Sequence, residues 1–243
     1  MPKQIVYTNP PIKEVTCWIE VVSDMPINDA FLKKFHSKII DTYPDYNVGK
    51  RIPPECLECD KAPENADTYE YENKLTKSMV VIDGDKLTIK LAGEYRSGEK
   101  CLDEIHKIYE AYSSLRTINQ ISNIMLRYLN KIIIIARKLK IEDYFTIYPN
   151  VNGTIVNFIL GYDIENKEDH LRSRLTFMPT LSKDENASAF ILEVKVHPSR
   201  NVKVSPEIDA IDTWFEKSHE SIKNMFESAI TDKTRDIFKE VSK

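Results

Sequence analysis

KSMVVIDGDKLTIKL, residues 77–91, decides the fold. The apolar run Met79, Val80, Val81, Ile82 meets Asp83-Gly84, after which Leu87, Ile89 and Leu91 alternate with Lys86, Thr88 and Lys90. A period of two sends alternate side chains to opposite faces of a strand, and Asp-Gly supplies a backbone that can turn tightly. The stretch reads as an antiparallel hairpin with one buried face and one wet face.

The neighbouring segments complete a unit around this hairpin. Upstream, Val15–Val22 (VTCWIEVV) is β-branched and aromatic, as strands are. A helix follows, with Asn28 as N-cap, Leu32, Phe35 and Ile39 at helical spacing, and a stop before Pro44. Downstream, Gly98-Glu99-Lys100 opens a helix in which Leu102, Ile105, Ile108, Tyr112 and Leu115 make one apolar stripe. A long strand over Ile121–Ile135 comes next. Strand, helix, strand, strand, helix, strand is the split β-α-β, ferredoxin-like order βαββαβ.

The second half differs. A short helix around Ile141–Phe145 leads to strands at Thr154–Tyr162, Leu171–Met178 and Ala187–His197, with polar turns at 165–167 and 182–184. A long helix begins with Ser205 as N-cap, Pro206 at its first position and Glu207 at the positive end of its dipole. Thr231-Asp232 caps a final short helix. The expected architecture is α+β: a ferredoxin-like βαββαβ lobe over residues 1–140, then an antiparallel three-stranded meander and a long C-terminal helix over 141–243. The second lobe is expected to pack as one unit. Residues 44–70 carry Pro44, Pro53, Pro54 and Pro63 with little apolar periodicity, and read as one long loop.

Composition narrows the function. The chain has 243 residues, 42% hydrophobic and 30% charged, which is ordinary for a globular protein. No stretch approaches the ~18 uninterrupted apolar residues of a membrane span. The first residues have no apolar signal core, so a cytoplasmic location without membrane contact is expected. Six glycines are scattered, whereas dinucleotide-binding folds cluster them so that backbone can approach a phosphate. The near P-loop Gly93–Lys100 (GEYRSGEK) has Glu99 where lysine should stand and Cys101 where a hydroxyl should bind magnesium. No cofactor is expected.

Net charge is -4 and unevenly spread. Seven acids against Lys61 between Glu55 and Glu72 leave -6 there, so the remainder of the chain is +2. Arg127–Lys140 holds five basic residues and no acid. These read as two surfaces of opposite sign for a partner: Glu55, Glu58 and Asp60 on the loop, and Arg127, Asn130, Lys131, Arg137, Lys138 and Lys140 along a basic edge. A protein partner is expected. Nucleic acid draws no support from the net charge.

The candidate chemistries are fragments. Cys56-x-x-Cys59 is half a zinc site, and the remaining candidate ligands, Cys17, Cys101 and His106, show no second pair. Glu193-Val194-Lys195 resembles the acid and lysine of a metal-dependent nuclease, with Asp163 on an earlier strand as the missing carboxylate. The same residues also fit the solvent side of an amphipathic strand. His219 sits at the edge of the last long helix's apolar stripe, where a packing role is expected. Arg127 and Asn130 interrupt an apolar strand. A buried guanidinium needs a partner, and Glu14 or Asp232 is expected to supply it.

At these residues the chain resembles a sporadically distributed family of uncharacterised bacterial proteins of about this length. The resemblance rests on Asn9-Pro10-Pro11-Ile12-Lys13-Glu14, on Leu126-Arg127-Tyr128-Leu129-Asn130, and on Trp214, His219, Phe226-Glu227 and Thr231-Asp232. It implies no established activity. It implies an accessory role in mobile islands, including bacterial antiviral-defence or CRISPR-associated loci, with Glu14, Arg127, His219 and Asp232 holding the architecture. The expected function is therefore a non-catalytic protein-binding adaptor. The alternatives are a divalent-metal nuclease using Asp163, Glu193 and Lys195, and a chaperone-like or antitoxin-like module.

Overall fold

A computed structural model describes residues 7–50, 67–93, 97–136, 139–151 and 157–239. Its elements are β1 (Ile12–Val22), α1 (Asp29–Ile39), β2 (Asp45–Lys50), β3 (Asp67–Asn73), β4 (Ser78–Asp83), β5 (Lys86–Ala92), α2 (Gly98–Ser113), β6 (Gln120–Ile135), β7 (Leu160–Asn166), β8 (Leu171–Thr180), β9 (Ala187–Pro198), α3 (Ile208–Ala229) and α4 (Asp232–Phe238). The strands form one nine-stranded sheet in the order β2-β3-β4-β5-β1-β6-β9-β8-β7. The mixed helix-and-sheet class matches the expectation. The sheet is larger than a separate ferredoxin-like lobe plus a three-stranded meander, because β2 and β3 lengthen it at one end and β9, β8 and β7 belong to it at the other.

The contacts divide the chain into two units, each discontinuous in sequence. One comprises residues 1–14, 127–199 and 217–243; the other comprises 15–126 and 200–216.

In the second unit, α1 and α2 lie on the face of the sheet that carries Tyr71. Asn28 caps α1, its side chain accepting from the Phe31 N–H. That helix then buries Phe31, Leu32, Phe35 and Ile39. Phe35 meets Tyr71 edge to face at 5.3 Å, and Phe31 meets Tyr112 of α2 at 5.5 Å. Such edge contacts place a ring's positive rim on its neighbour's negative face. The hairpin forms as expected, with alternating burial on both strands. Its turn, however, is centred one residue later than Asp83-Gly84. Asp83 pairs with Lys86, leaving Gly84-Asp85 as the two-residue loop with Gly84 at φ +55°.

The expected loop over 44–70 is shorter at both ends. Asp45–Lys50 and Asp67–Asn73 pair as β2 and β3, and β3 continues onto β4. Among the side chains of these strands that are described, Tyr71 alone is fully buried, so the alternation that marks the hairpin is missing.

In the first unit, α3 covers β6 and β8: Ser221 bonds Ser173 at 2.9 Å. Phe145 packs on Phe177 and Phe190 with centroids 4.4 and 5.2 Å away. The short helix expected at 141–145 is a single 3-10 turn, Ile141–Asp143. It is tied to α4, where Thr234 Oγ1 donates to the Tyr144 carbonyl at 2.6 Å. The Thr231 side chain makes no cap bond; its hydroxyl donates to the Asp143 carbonyl.

Two boundaries move. Of the strand expected at Thr154–Tyr162, positions 154–156 lie outside the described residues and 157–159 are not in a strand; the described strand runs over Leu160–Asn166, where pairing of Leu160 with Phe177 through Asn166 with Leu171 sets its extent. The turn therefore follows Asn166, and His170 takes φ +56°. The last long helix starts at Ile208. Ser205 Oγ accepts from the Glu207 N–H in a turn, and the Glu207 carbonyl takes the N–H groups of Ala210 and Ile211.

Candidate functional site: a paired-charge face and a basic strand end

Alternation along β6 and β9 separates two sets of side chains. Tyr128, Asn130, Leu192, Val194 and Val196 are buried, while Arg127, Glu193 and Lys195 point to the opposite face. On that face Arg127 lies between two carboxylates. Its Nη1 donates to Glu14 at 2.8 Å and its Nε to Glu193. Lys195 reaches the other oxygen of Glu193 at 3.1 Å. Two acids and two bases alternate, so each charge has a partner and the half-buried guanidinium is compensated.

Of the two partners expected for Arg127, Glu14 is bonded to it and Asp232 is engaged elsewhere. Asp232 bonds Arg235 at 2.7 Å, and Arg235 also holds Glu227 at 3.0 Å. Tyr7 donates to the same Glu227 at 2.8 Å.

The three nuclease candidates do not come together. Glu193 and Lys195 are neighbours, but Asp163 lies on β7 opposite Arg174, which in turn lies opposite Lys195. Two strand spacings of about 4.8 Å separate Asp163 from Lys195. The Asp163 carboxylate is taken up by Arg172 at 3.1 Å and Arg174 at 3.8 Å. Each acid is thus drawn towards a base rather than towards the other acid. Among the described residues no group of three His, Cys, Asp or Glu side chains is placed to hold an ion.

The basic edge divides. Asn130 is buried and donates to the Leu192 carbonyl at 3.0 Å, so it ties β6 to β9 and is turned away from Arg127's face. Lys131 is on the outer face, where its ammonium donates to the Leu181 carbonyl at 3.1 Å. Ile133 and Ile135 follow on the same side of β6; both are exposed, and so is Leu181. Lys140 is exposed. Arg137, Lys138, Glu55, Glu58, Asp60, Cys56 and Cys59 lie outside the described residues. The end of β6 therefore exposes apolar side chains next to Lys131.

His219 takes the packing role expected. Its Nδ1 accepts from the Tyr128 hydroxyl at 2.9 Å. Burial pushes its pKa below the usual histidine value; Glu220 works against that shift and Lys223 adds to it. Cys17 is fully buried, and burial pushes its thiol up, out of the range where thiolate chemistry operates. Among the described residues His106 joins no cysteine ligand set. Its Nδ1 meets both carboxylate oxygens of Asp212, at 2.8 and 2.9 Å.

Sequence reasoning missed two features. Arg116 is buried and donates to the Met25 carbonyl at 2.8 Å, to the Tyr112 hydroxyl at 2.6 Å and to Asp85. Its one sequence signal is an arginine among Leu115, Thr117 and Ile118 just past a helix end. The other is an open cleft of about 370 Å³ between α1 and α2, whose walls include Lys38, Tyr43, Glu104 and Lys107. Tyr43 donates to Glu104 across it at 2.6 Å.

No family model and no curated protein matches this chain. Among the described residues no helix is long and apolar enough to cross a membrane.

Proposed function

We propose that the chain is a non-catalytic binding protein whose contact surface is the end of β6. The observation that carries this reading is the exposure of Ile133, Ile135 and Leu181 beside Lys131. Exposed apolar side chains grouped within a charged rim are the usual composition of a docking surface. Lys131 at the margin favours a partner with an acid beside an apolar centre, since complementary charge speeds encounter and rejects wrong partners. The ion pairs among Glu14, Arg127, Glu193, Lys195, Arg172, Arg174 and Asp163 support the same reading. Charges that neutralise one another hold strands in place and leave no unpartnered base or nucleophile among them.

The neighbouring strand order β4-β5-β1-β6, with α1 and α2 as connections, supports a ferredoxin-like arrangement at the centre of the sheet. In the setting that the family resemblance implies, the partner is a component of a bacterial antiviral-defence or CRISPR-associated assembly, and the protein acts in the cytoplasm.

The test is affinity capture from native lysate with the wild-type chain, an Ile133→Asp/Ile135→Asp variant and a Leu75→Asp control. Leu75 is exposed and lies on the β3–β4 connection. A partner retained by wild type and by the control but lost with the β6 variant supports the proposal. Capture that is unchanged by the β6 substitutions overturns it.

A further inference from the structure

The outer edge of β7 satisfies the requirements for pairing with itself. β7 ends the sheet, so among the described residues no strand takes up its outward N–H and C=O groups. Edge strands are ordinarily protected by proline, by lysine or by inward-pointing charge. β7, Leu-Gly-Tyr-Asp-Ile-Glu-Asn, has no proline and no lysine. Its central charge, Asp163, is neutralised from within the sheet by Arg172 and Arg174. The other side of the strand carries Leu160, Tyr162 and Ile164; Tyr162 and Ile164 are exposed, as is the preceding Ile159.

An antiparallel pair related by a two-fold axis must match a strand with its own reverse. Side chains stay on their own faces only if the paired residue numbers differ by an even amount. Centred on Asp163, that pairing sets one carboxylate directly against another, which is destabilising. Centred on Ile164, it sets Asp163 against the partner's Glu165, with the same penalty. Centred on Tyr162, it has neither fault. Tyr162 then meets the partner's Tyr162, and Leu160 meets the partner's Ile164 on the apolar side. On the other side Asp163 meets the partner's Gly161, where no side chain competes for space. Aromatic and β-branched cross-strand pairs of this kind are the stabilising unit of a sheet.

We propose that β7 pairs edge to edge with β7 of a second copy of this chain, in the register that opposes Tyr162 to the partner's Tyr162. The occupant is a second copy because the strand's own sequence supplies the complement, with apolar opposite apolar and acid opposite glycine. The surface is separate from the β6 patch, and the proposal does not rest on the function assigned to that patch. In this register Leu160–Ile164, five residues of each β7, face one another, so the interface is small and the dimer is expected to be weak.

Sedimentation equilibrium on the full chain tests this. The expected result is a concentration-dependent rise from 28.2 kDa towards twice that mass. Ile164→Asp places a charge against the partner's Leu160 and is expected to weaken the dimer about tenfold or more. Opposed residues of an antiparallel pair have Cα separations compatible with a disulfide. Tyr162→Cys is therefore expected to give a covalent dimer on oxidation, with wild type as the control for the native cysteines, whereas Asp163→Cys is expected to give little. A wild-type chain that stays monomeric at every concentration overturns the proposal. So does covalent dimer from Asp163→Cys in preference to Tyr162→Cys.

Discussion

Arg127 on β6 donates to Glu14 on β1 at 2.8 Å, joining positions 113 residues apart in the chain. The same guanidinium holds Glu193 on β9, and all three side chains are largely shielded from water. Removing Arg127 therefore does more than delete attraction. It leaves two carboxylates, on the strands either side of β6, without their shared cation. Arg127→Ala is expected to destabilise the fold by about 2 kcal/mol, below the figure for a fully buried pair because some solvent reaches the group. Arg127→Met combined with Glu14→Gln and Glu193→Gln recovers part of that loss, since no charge is left uncompensated. Urea unfolding midpoints at constant slope check both statements.

His219 makes stability depend on pH. Burial lowers its folded-state pKa below the ordinary value of 6.5, so the unfolded chain takes up the proton first as pH falls. Where the unfolded state binds more protons, stability rises with pH. The contribution of His219 is thus complete above pH 6.5 and is lost as pH drops through that value, levelling off once the folded form also protonates. Protonation reverses the bond with Tyr128, since Nδ1 then donates to the phenol oxygen, so the loss comes from burying the charge and not from a missing partner. His219→Gln is expected to flatten the stability profile just below pH 6.5. An unchanged profile in that variant would show that burial of this ring is not its source.

Arg116 offers a comparison between hydrogen bonds and charge. It satisfies the Met25 carbonyl and the Tyr112 hydroxyl inside the unit, while its ionic partner Asp85 is mostly exposed. Arg116→Leu strands the buried Tyr112 hydroxyl and removes a part-buried bond to the Met25 carbonyl, and is expected to cost about 2 kcal/mol. Asp85→Ala removes a solvent-screened pair and is expected to cost about 1 kcal/mol or less. Thermal unfolding of the two variants under one buffer decides the ratio; equal losses would mean that the ion pair dominates.

Most of the sheet could be read from residues 78–92, 120–135 and 171–198, because these strands alternate buried and exposed side chains and turn at Gly84 or within polar runs. β2 and β3 could not. Their partner contacts run through backbone, which carries no sequence signature, and among their described side chains only Tyr71 marks a buried face. β7 shifted for a related reason: its extent is set by register with β8, and register is a property of two strands. At the charged face, Arg127 with Glu14 was legible because an arginine in an apolar strand demands a partner. Glu193 was legible only as an acid on the polar side of a strand. That Arg127 would claim it follows from β6 and β9 being neighbours, which local pattern does not state.

Two glycines with positive φ separate conformational freedom from space. Gly84 sits at φ +55° in the hairpin turn, and an added Cβ would meet no atom within 4 Å. Gly93 sits at φ +87°, and an added Cβ would lie 2.6 Å from the Thr76 carbonyl oxygen. That neighbour is backbone, so it cannot rotate aside as a side chain would. Gly84→Asn keeps a residue that tolerates the left-handed region and is expected to cost about 1 kcal/mol or less. Gly93→Ala combines an unfavourable φ with a clash against main chain, and is expected to cost about 2–3 kcal/mol. The comparison is made by chemical denaturation of the two variants against wild type. A Gly93→Ala variant as stable as wild type would mean that the β3–β4 connection moves away from Gly93 at little cost, and that the close approach of Thr76 does not define the end of β5.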